Sequence, residues 1–149
     1  MTNIVRKITI LVATLLSVIF LNTTSFAADA TVEMLNKQGK ESMVFSQKIV
    51  KINVGDKVFW KATSKGHNGE FIKGGVPEGV AKFKSKFNKD VEFKFDVPGI
   101  YAYWCTPHKS MGMIGFVVVG DDKSNLDAIK VIRYSGKSKK LAPDLIISL

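Results

Sequence analysis

The chain has 149 residues, of which 46% are hydrophobic and 23% charged, with one cysteine, two histidines and a formal net charge of +9. That length suits one globular domain and is too short for a two-domain enzyme with its own cofactor fold. One cysteine excludes an internal disulfide, an all-cysteine zinc site and a CxxC redox pair, and two histidines cannot fill an all-histidine catalytic zinc site or a multicopper cluster.

Residues 1–27 read as a secretory signal. Arg6 and Lys7 form a charged n-region, Ile8 to Leu21 is an apolar run, and Ser25-Phe26-Ala27 offers small residues at the cleavage positions. The run contains Thr9, Thr14 and Ser17 and falls short of the about 20 residues needed to cross a bilayer. Cleavage near Ala27 then leaves 28–149 as one exported, cationic domain. In an oxidising compartment an exposed free thiol is a liability, so Cys105 is either buried and inert or bound to something.

From Ala28 to Gly120 the chain is rich in β-branched and aromatic residues, cut into short stretches by Gly, Pro and Asn. Thr31–Asn36, Ile49–Asn53, Lys57–Ala62, Val91–Asp96, Ile100–Cys105 and Ile114–Val119 are predicted strands. Turn signals separate them at Asn53-Val54-Gly55-Asp56, at Lys73-Gly74-Gly75 with Pro77, and at Pro98-Gly99. Lys82–Phe87 alternates with period two and reads as a partly irregular edge segment. After Gly120, Asp121–Ser124 offers N-cap residues ahead of Leu126, Ile129, Ile132 and Tyr134 at helical spacing. Ser135-Gly136 is expected to end that helix, and Leu141–Leu149 to form a second one from near Pro143. The expectation is an all-β sandwich with a helical C-terminal tail.

The chemistry concentrates in Tyr101–Phe116. A strand ends at Cys105, a compact loop holding Pro107 and Gly112 carries His108 and Met113, and the next strand starts at Ile114. The only other histidine, His67, follows the Lys57–Ala62 strand in a loop that can reach the same end of a sandwich. Two imidazoles and a thiolate in a plane, with a distant thioether, are the ligands of an electron-transfer copper site. Such a set is a fixed compromise between the preferences of Cu(I) and Cu(II), so little moves when the electron does. Metal binding would also keep the exported thiol deprotonated and shielded. Taken singly, each of these side chains has an ordinary packing role. A Cys-His nucleophilic pair is a further alternative, without an evident third orienting group.

The chain resembles the cupredoxins, and among them the pseudoazurin group. The resemblance is carried by Glu33–Lys37, Ser42–Phe45, Lys65-Gly66-His67-Asn68, Pro77-Glu78-Gly79 with Lys82–Lys86, Cys105-Thr106-Pro107-His108, Met111-Gly112-Met113 and Asn125-Leu126-Asp127. It implies a Greek-key sandwich of about eight strands with two short C-terminal α-helices. It also implies one type 1 copper ion on His67, Cys105, His108 and Met113, with Met111 as the second choice for the axial thioether because amicyanin-like loops use that shorter spacing. Around the ligands it implies Asn68, Thr106, Pro107 and Met43, with Asn68 holding the two ligand loops together. Pro107, lacking an N–H, adds no donor to the thiolate.

The function implied is single-electron transfer between periplasmic redox enzymes, not enzymatic turnover. A cytochrome or quinol-linked donor and a copper nitrite reductase-like acceptor are the implied partners. The exchange surface would be the His108 edge with Met111, rimmed by Lys37, Lys65, Lys84 and Lys109. Trp104 departs from relatives, which commonly carry lysine before the ligand cysteine. Alternation turns it outward, either covering apolar surface or contacting a partner. A copper-delivery protein is the main alternative in another class. A metal-free basic protein binding nucleic acid or anionic membrane is a third. No nucleic-acid motif or strongly amphipathic basic helix supports that last reading, and the expected carrier is a monomer without stable membrane association.

Overall fold

The computed structural model describes residues 29–149, so the signal-segment reading lies outside the described residues. Among these described residues, eight strands form two four-stranded sheets. In chain order they are β1 (Ala30–Gln38), β2 (Glu41–Phe45), β3 (Ile49–Ile52), β4 (Lys57–Lys61), β5 (Glu70–Phe71), β6 (Val91–Lys94), β7 (Gly99–Trp104) and β8 (Ile114–Val119). One sheet has the order β2-β1-β4-β6 and the other β3-β8-β7-β5. The chain crosses between the sheets at every connection from β2 to β7, as a Greek-key sandwich does. A short 3-10 turn, Thr106–His108, follows β7. Two helices close the chain, α1 (Leu126–Lys130) and α2 (Gly136–Ile147).

Strand burial explains the packing. In β4 the alternation buries Val58 and Trp60 while Lys57 and Lys61 reach solvent. In β8 all six residues are buried, because its sheet is covered on both faces. Val32, Met34, Val58, Trp60, Phe95, Tyr101, Tyr103, Cys105 and Met113 share the core between the sheets. Ile100, Ala102, Phe116 and Val118 turn the other way, onto Ile129 and Leu149 of the helical tail. Trp60 centres the inner core, its ring 5.2 Å from Tyr103 and 5.3 Å from Phe83. Burying each such side chain is worth about 1.5–3 kcal/mol. Gly115 makes room for this packing, since a Cβ there would lie 2.5 Å from the Tyr103 ring.

The structure departs from the sequence expectations at five places. β2 is an added strand, paired with β1 through the two-residue turn Gly39-Lys40, and β5 is an added two-residue strand. Lys82–Phe87 forms no strand, only the single bridge Glu70↔Lys84, because Phe83 is drawn inward onto Phe71 at 4.8 Å. Helix α1 is shorter than its apolar spacing suggests. Its N-cap position is Asn125, whose side chain bonds the Ile100 N–H at 2.9 Å and carbonyl at 2.8 Å, tying the tail to β7 instead of capping the helix. Helix α2 starts at Gly136 and runs through Pro143. The proline removes one intrahelical bond, and the docking of the first turn on the Lys109–Ser110 backbone holds the helix in place. Among the described residues no helix is long and apolar enough to cross a membrane.

Candidate metal centre

The end of β7 and the start of β8 hold a tight loop. The Cys105 N–H donates to the Met113 carbonyl at 3.0 Å, and the His108 and Met111 N–H groups bond back to Cys105 and His108 at 3.1 and 2.9 Å. These bonds bring the two ends of the loop together and place Cys105 and His108 side by side. The loop before β5 brings in His67. Cys105 Sγ lies 3.7 Å from His67 Nδ1 and 3.5 Å from His108 Nδ1, and the two Nδ1 atoms are 3.2 Å apart. Bonds of about 2.0–2.3 Å to nitrogen and sulfur put donor atoms about 3–4 Å apart, so the three residues fit one metal ion. Their chemistry, two imidazoles and one thiol, fits a trigonal copper site.

His67 and Cys105 are fully buried, and His108 is partly exposed. His67 Nε2 meets Asn36 Oδ1 at 2.8 Å, so that nitrogen donates and Nδ1 faces the cluster with its lone pair. Burial, and then the charge of His108, hold the His67 pKa below the ordinary histidine value; burial does the same to His108. Burial pushes the Cys105 thiol up, and the backbone N–H groups of Asn68 and His108 pull it partly back. Both imidazoles are thereby kept neutral, and a bound cation would be needed to draw the proton from the thiol.

Asn68 is buried and joins the loops. Its Nδ2 donates to Thr106 Oγ1 at 2.9 Å, its Oδ1 accepts from the Thr106 N–H at 2.9 Å, and Oδ1 lies 3.8 Å from Cys105 Sγ. Pro107 is exposed and opens the turn after Cys105. Met113 is fully buried in the core that contains Cys105, whereas Met111 is 44% exposed. Met43 packs against that core with φ +52, a left-handed conformation rare for a long side chain. It stands opposite Asn36 in the β1–β2 ladder, between the Leu35↔Val44 and Lys37↔Ser42 pairs, so the strained residue flanks the partner of His67.

The rim residues differ in state. Lys37 and Lys65 are exposed, next to Asn36 and two residues before His67. Lys84 pairs with Glu70 at 3.3 Å. The Lys109 ammonium sits 4.8 Å from the Trp104 ring centre, a cation–π contact. Trp104 is partly buried against the helix-covered core and donates its indole N–H to Glu70 at 3.3 Å, so it covers apolar surface while leaving an edge in solvent. Asn36, Glu70 and Ser138, which stand around the centre, carry no spacing signal. Each lies far along the chain from the residue it holds, and only the strand pairing reveals them.

The comparisons agree with this geometry. Residues 32–120 match the family described as copper binding proteins, plastocyanin/azurin family. A putative pseudoazurin of Rhizobium leguminosarum bv. viciae is 46% identical over 114 residues, 76% of this chain and 75% of the relative. A pseudoazurin of Paracoccus pantotrophus is 44% identical over 115 residues, 77% and 79% of the two chains. The crystal structure of pseudoazurin from Methylobacterium extorquens AM1 superposes with a TM-score of 0.78 at 36% identity, covering 81% of this chain and 98% of the other. A His-Cys-His cluster at one end of a two-sheet sandwich, with two C-terminal helices packed on the sheet behind it, thus occurs in a sequence nearly half identical to known pseudoazurins, and the chain belongs to the pseudoazurin group of the plastocyanin/azurin family, blue copper electron-transfer proteins that are not enzymes.

Proposed function

We propose that this chain is a monomeric periplasmic carrier that takes single electrons from a cytochrome or quinol-linked donor and delivers them to a copper nitrite reductase-like acceptor. His67, Cys105 and His108 would hold the copper ion, with the Met113 thioether as a weaker fourth donor. The observation that carries this reading is the convergence of one thiol and two Nδ1 atoms within 3.2–3.7 Å on a closed loop and a buried neighbour. Met113 is preferred to Met111 because its side chain lies in the same dry core as Cys105.

Bound copper supplies a one-electron Cu(II)/Cu(I) couple. The protein's part is to keep the surroundings unchanged while the charge changes. The Asn36 bond keeps His67 in one tautomer, Asn68 ties the His67 loop to Thr106, and the backbone ladder of the Cys105–Met113 loop resists movement. His108 provides the exposed edge through which a partner is reached. Met111, Pro107 and Met43 offer a small apolar area there, and Lys37, Lys65, Lys84 and Lys109 steer acidic partners toward it. Burial of Cys105 and His67 argues against copper delivery, which needs a site that opens easily.

The test is a visible and EPR spectrum of the mature chain with one equivalent of Cu(II), beside Cys105→Ser. An intense blue charge-transfer band with small copper hyperfine splitting, lost in the variant, is expected. A colourless wild-type protein refutes the ligand assignment. Electron transfer to a copper nitrite reductase should slow as salt rises; a salt-independent rate refutes the lysine rim.

A further inference from the structure

Glu70 opens β5, three residues after His67, and pairs with Trp104 in the β5–β7 ladder. Its carboxylate gathers three donors. Oε2 accepts from the Thr106 hydroxyl at 2.6 Å and from the Trp104 indole at 3.3 Å, while Oε1 accepts from the Lys84 ammonium at 3.3 Å. The ion pair alone is worth little, since the Lys84 side chain is 52% exposed. The bond to Thr106 has a larger consequence. A threonine hydroxyl has one proton; once it points at Glu70, the oxygen presents its lone pairs to Asn68 Nδ2. That choice turns Asn68 Oδ1 toward the Thr106 N–H and the Cys105 sulfur.

We propose that Glu70 is a positioning residue of the metal centre, which links the surface groups Trp104 and Lys84 to Cys105 through Thr106 and Asn68. This rests on the copper reading above. Burial pushes the Glu70 carboxyl up, but the bonds from Thr106, Trp104 and Lys84, with the Lys84 charge, outweigh it and hold it below the usual carboxylate range. It is therefore an anion at neutral pH. An anion held this close to the ligand loop favours the more positive, oxidised state and so lowers the reduction potential. Lys84 offsets part of that charge. An acidic partner that draws Lys84 away leaves more of it uncompensated, so docking itself favours release of the electron. Tryptophan before the ligand cysteine has a role in this arrangement: its N–H satisfies Glu70 on the side away from Lys84, and its ring holds Lys109.

The experiment compares Glu70→Gln and Glu70→Ala in the copper-loaded chain and in the metal-free chain. Glu70→Gln keeps an oxygen for Thr106 and loses the charge, so its potential rises while the visible and EPR spectra stay close to wild type. Glu70→Ala raises the potential too, lowers copper affinity about 10-fold and speeds hydrogen exchange of the Thr106 backbone N–H in the metal-free protein. Lys84→Ala lowers the potential in the wild type by more than it does beside Glu70→Gln. Wild-type potentials in both Glu70 variants, or unchanged Thr106 exchange in Glu70→Ala, overturn the proposal. A wild-type protein that binds copper without a blue band overturns the copper reading instead, and Thr106 exchange in the metal-free chain then still decides whether Glu70 orders the loop.

Discussion

Replacing Gly136 by alanine should damage the metal-ligand loop from outside it. Gly136 begins α2 with φ +55, and a Cβ there would press on the Ser110 carbonyl oxygen, with the Ser110 carbonyl carbon at only 3.1 Å. From this position the Lys137 N–H donates to the Ser110 carbonyl at 2.7 Å, and the buried Ser138 hydroxyl donates to the Lys109 carbonyl. The helix thus grips the two residues that follow His108. An alanine in the left-handed region costs about 1–2 kcal/mol, and displacing Ser110 loses or weakens two hydrogen bonds worth about 1 kcal/mol each. The expected loss is about 3–4 kcal/mol of unfolding free energy, read from urea titrations of the metal-free chain. Gly136→Asn, which tolerates the left-handed backbone but still adds a Cβ, should recover only the backbone part. Ser138→Ala should cost about 1–3 kcal/mol by leaving a carbonyl unpaired. In the copper-loaded chain Gly136→Ala should also release copper faster. A loss below about 1 kcal/mol with an unchanged copper release rate would refute the idea that the tail braces the ligand loop.

Three further outcomes follow from the same geometry. Metal-free protein should lose stability in acid: the folded histidines are held below the ordinary value by burial, while those of the unfolded chain take up protons near pH 6.5. Their contribution is complete above about pH 6.5 and is lost as pH falls through the lowered folded-state values, so urea midpoints should drop from pH 7.5 to 5, and a flat profile counts against neutral buried imidazoles. Met113→Ala should alter the blue spectrum and cost about 2–5 kcal/mol, whereas Met111→Ala should leave both unchanged; the reverse pattern makes Met111 the axial ligand. Pro107→Ala restores an N–H in the turn after Cys105 and should raise the reduction potential by voltammetry, and an unchanged or lower value dismisses the proline as a tuning residue.

Much of the fold was legible because its signals are local. Alternation in Lys57–Lys61 and Val91–Lys94, and the apolar run of β8, follow from which face of each strand is dry. The closeness of Cys105 and His108 was legible for the same reason: both lie within one short loop of chain bounded by strands. β5 was not, because two residues are too few to show a period and its partner, β7, lies some thirty residues away. Helix α2 was misplaced because Gly136 and Pro143 are ordinarily breakers, and the contacts of its first turn with Lys109 and Ser110 are encoded by no local pattern.

By itself, then, the sequence determined which groups could meet a metal and that the chain would fold as an all-β sandwich with a helical tail. Residue chemistry and short-range periodicity are properties of neighbours along the chain. The tertiary structure alone decided how those groups are held. Asn36 sets the tautomer of His67 across a strand ladder, Glu70 orients Thr106 and Asn68 from the edge of the second sheet, and Ser138 grips the loop from the last helix. A hydrogen bond depends on position in space to a fraction of an ångström, and residues thirty positions apart acquire that relation only when the sheets pack.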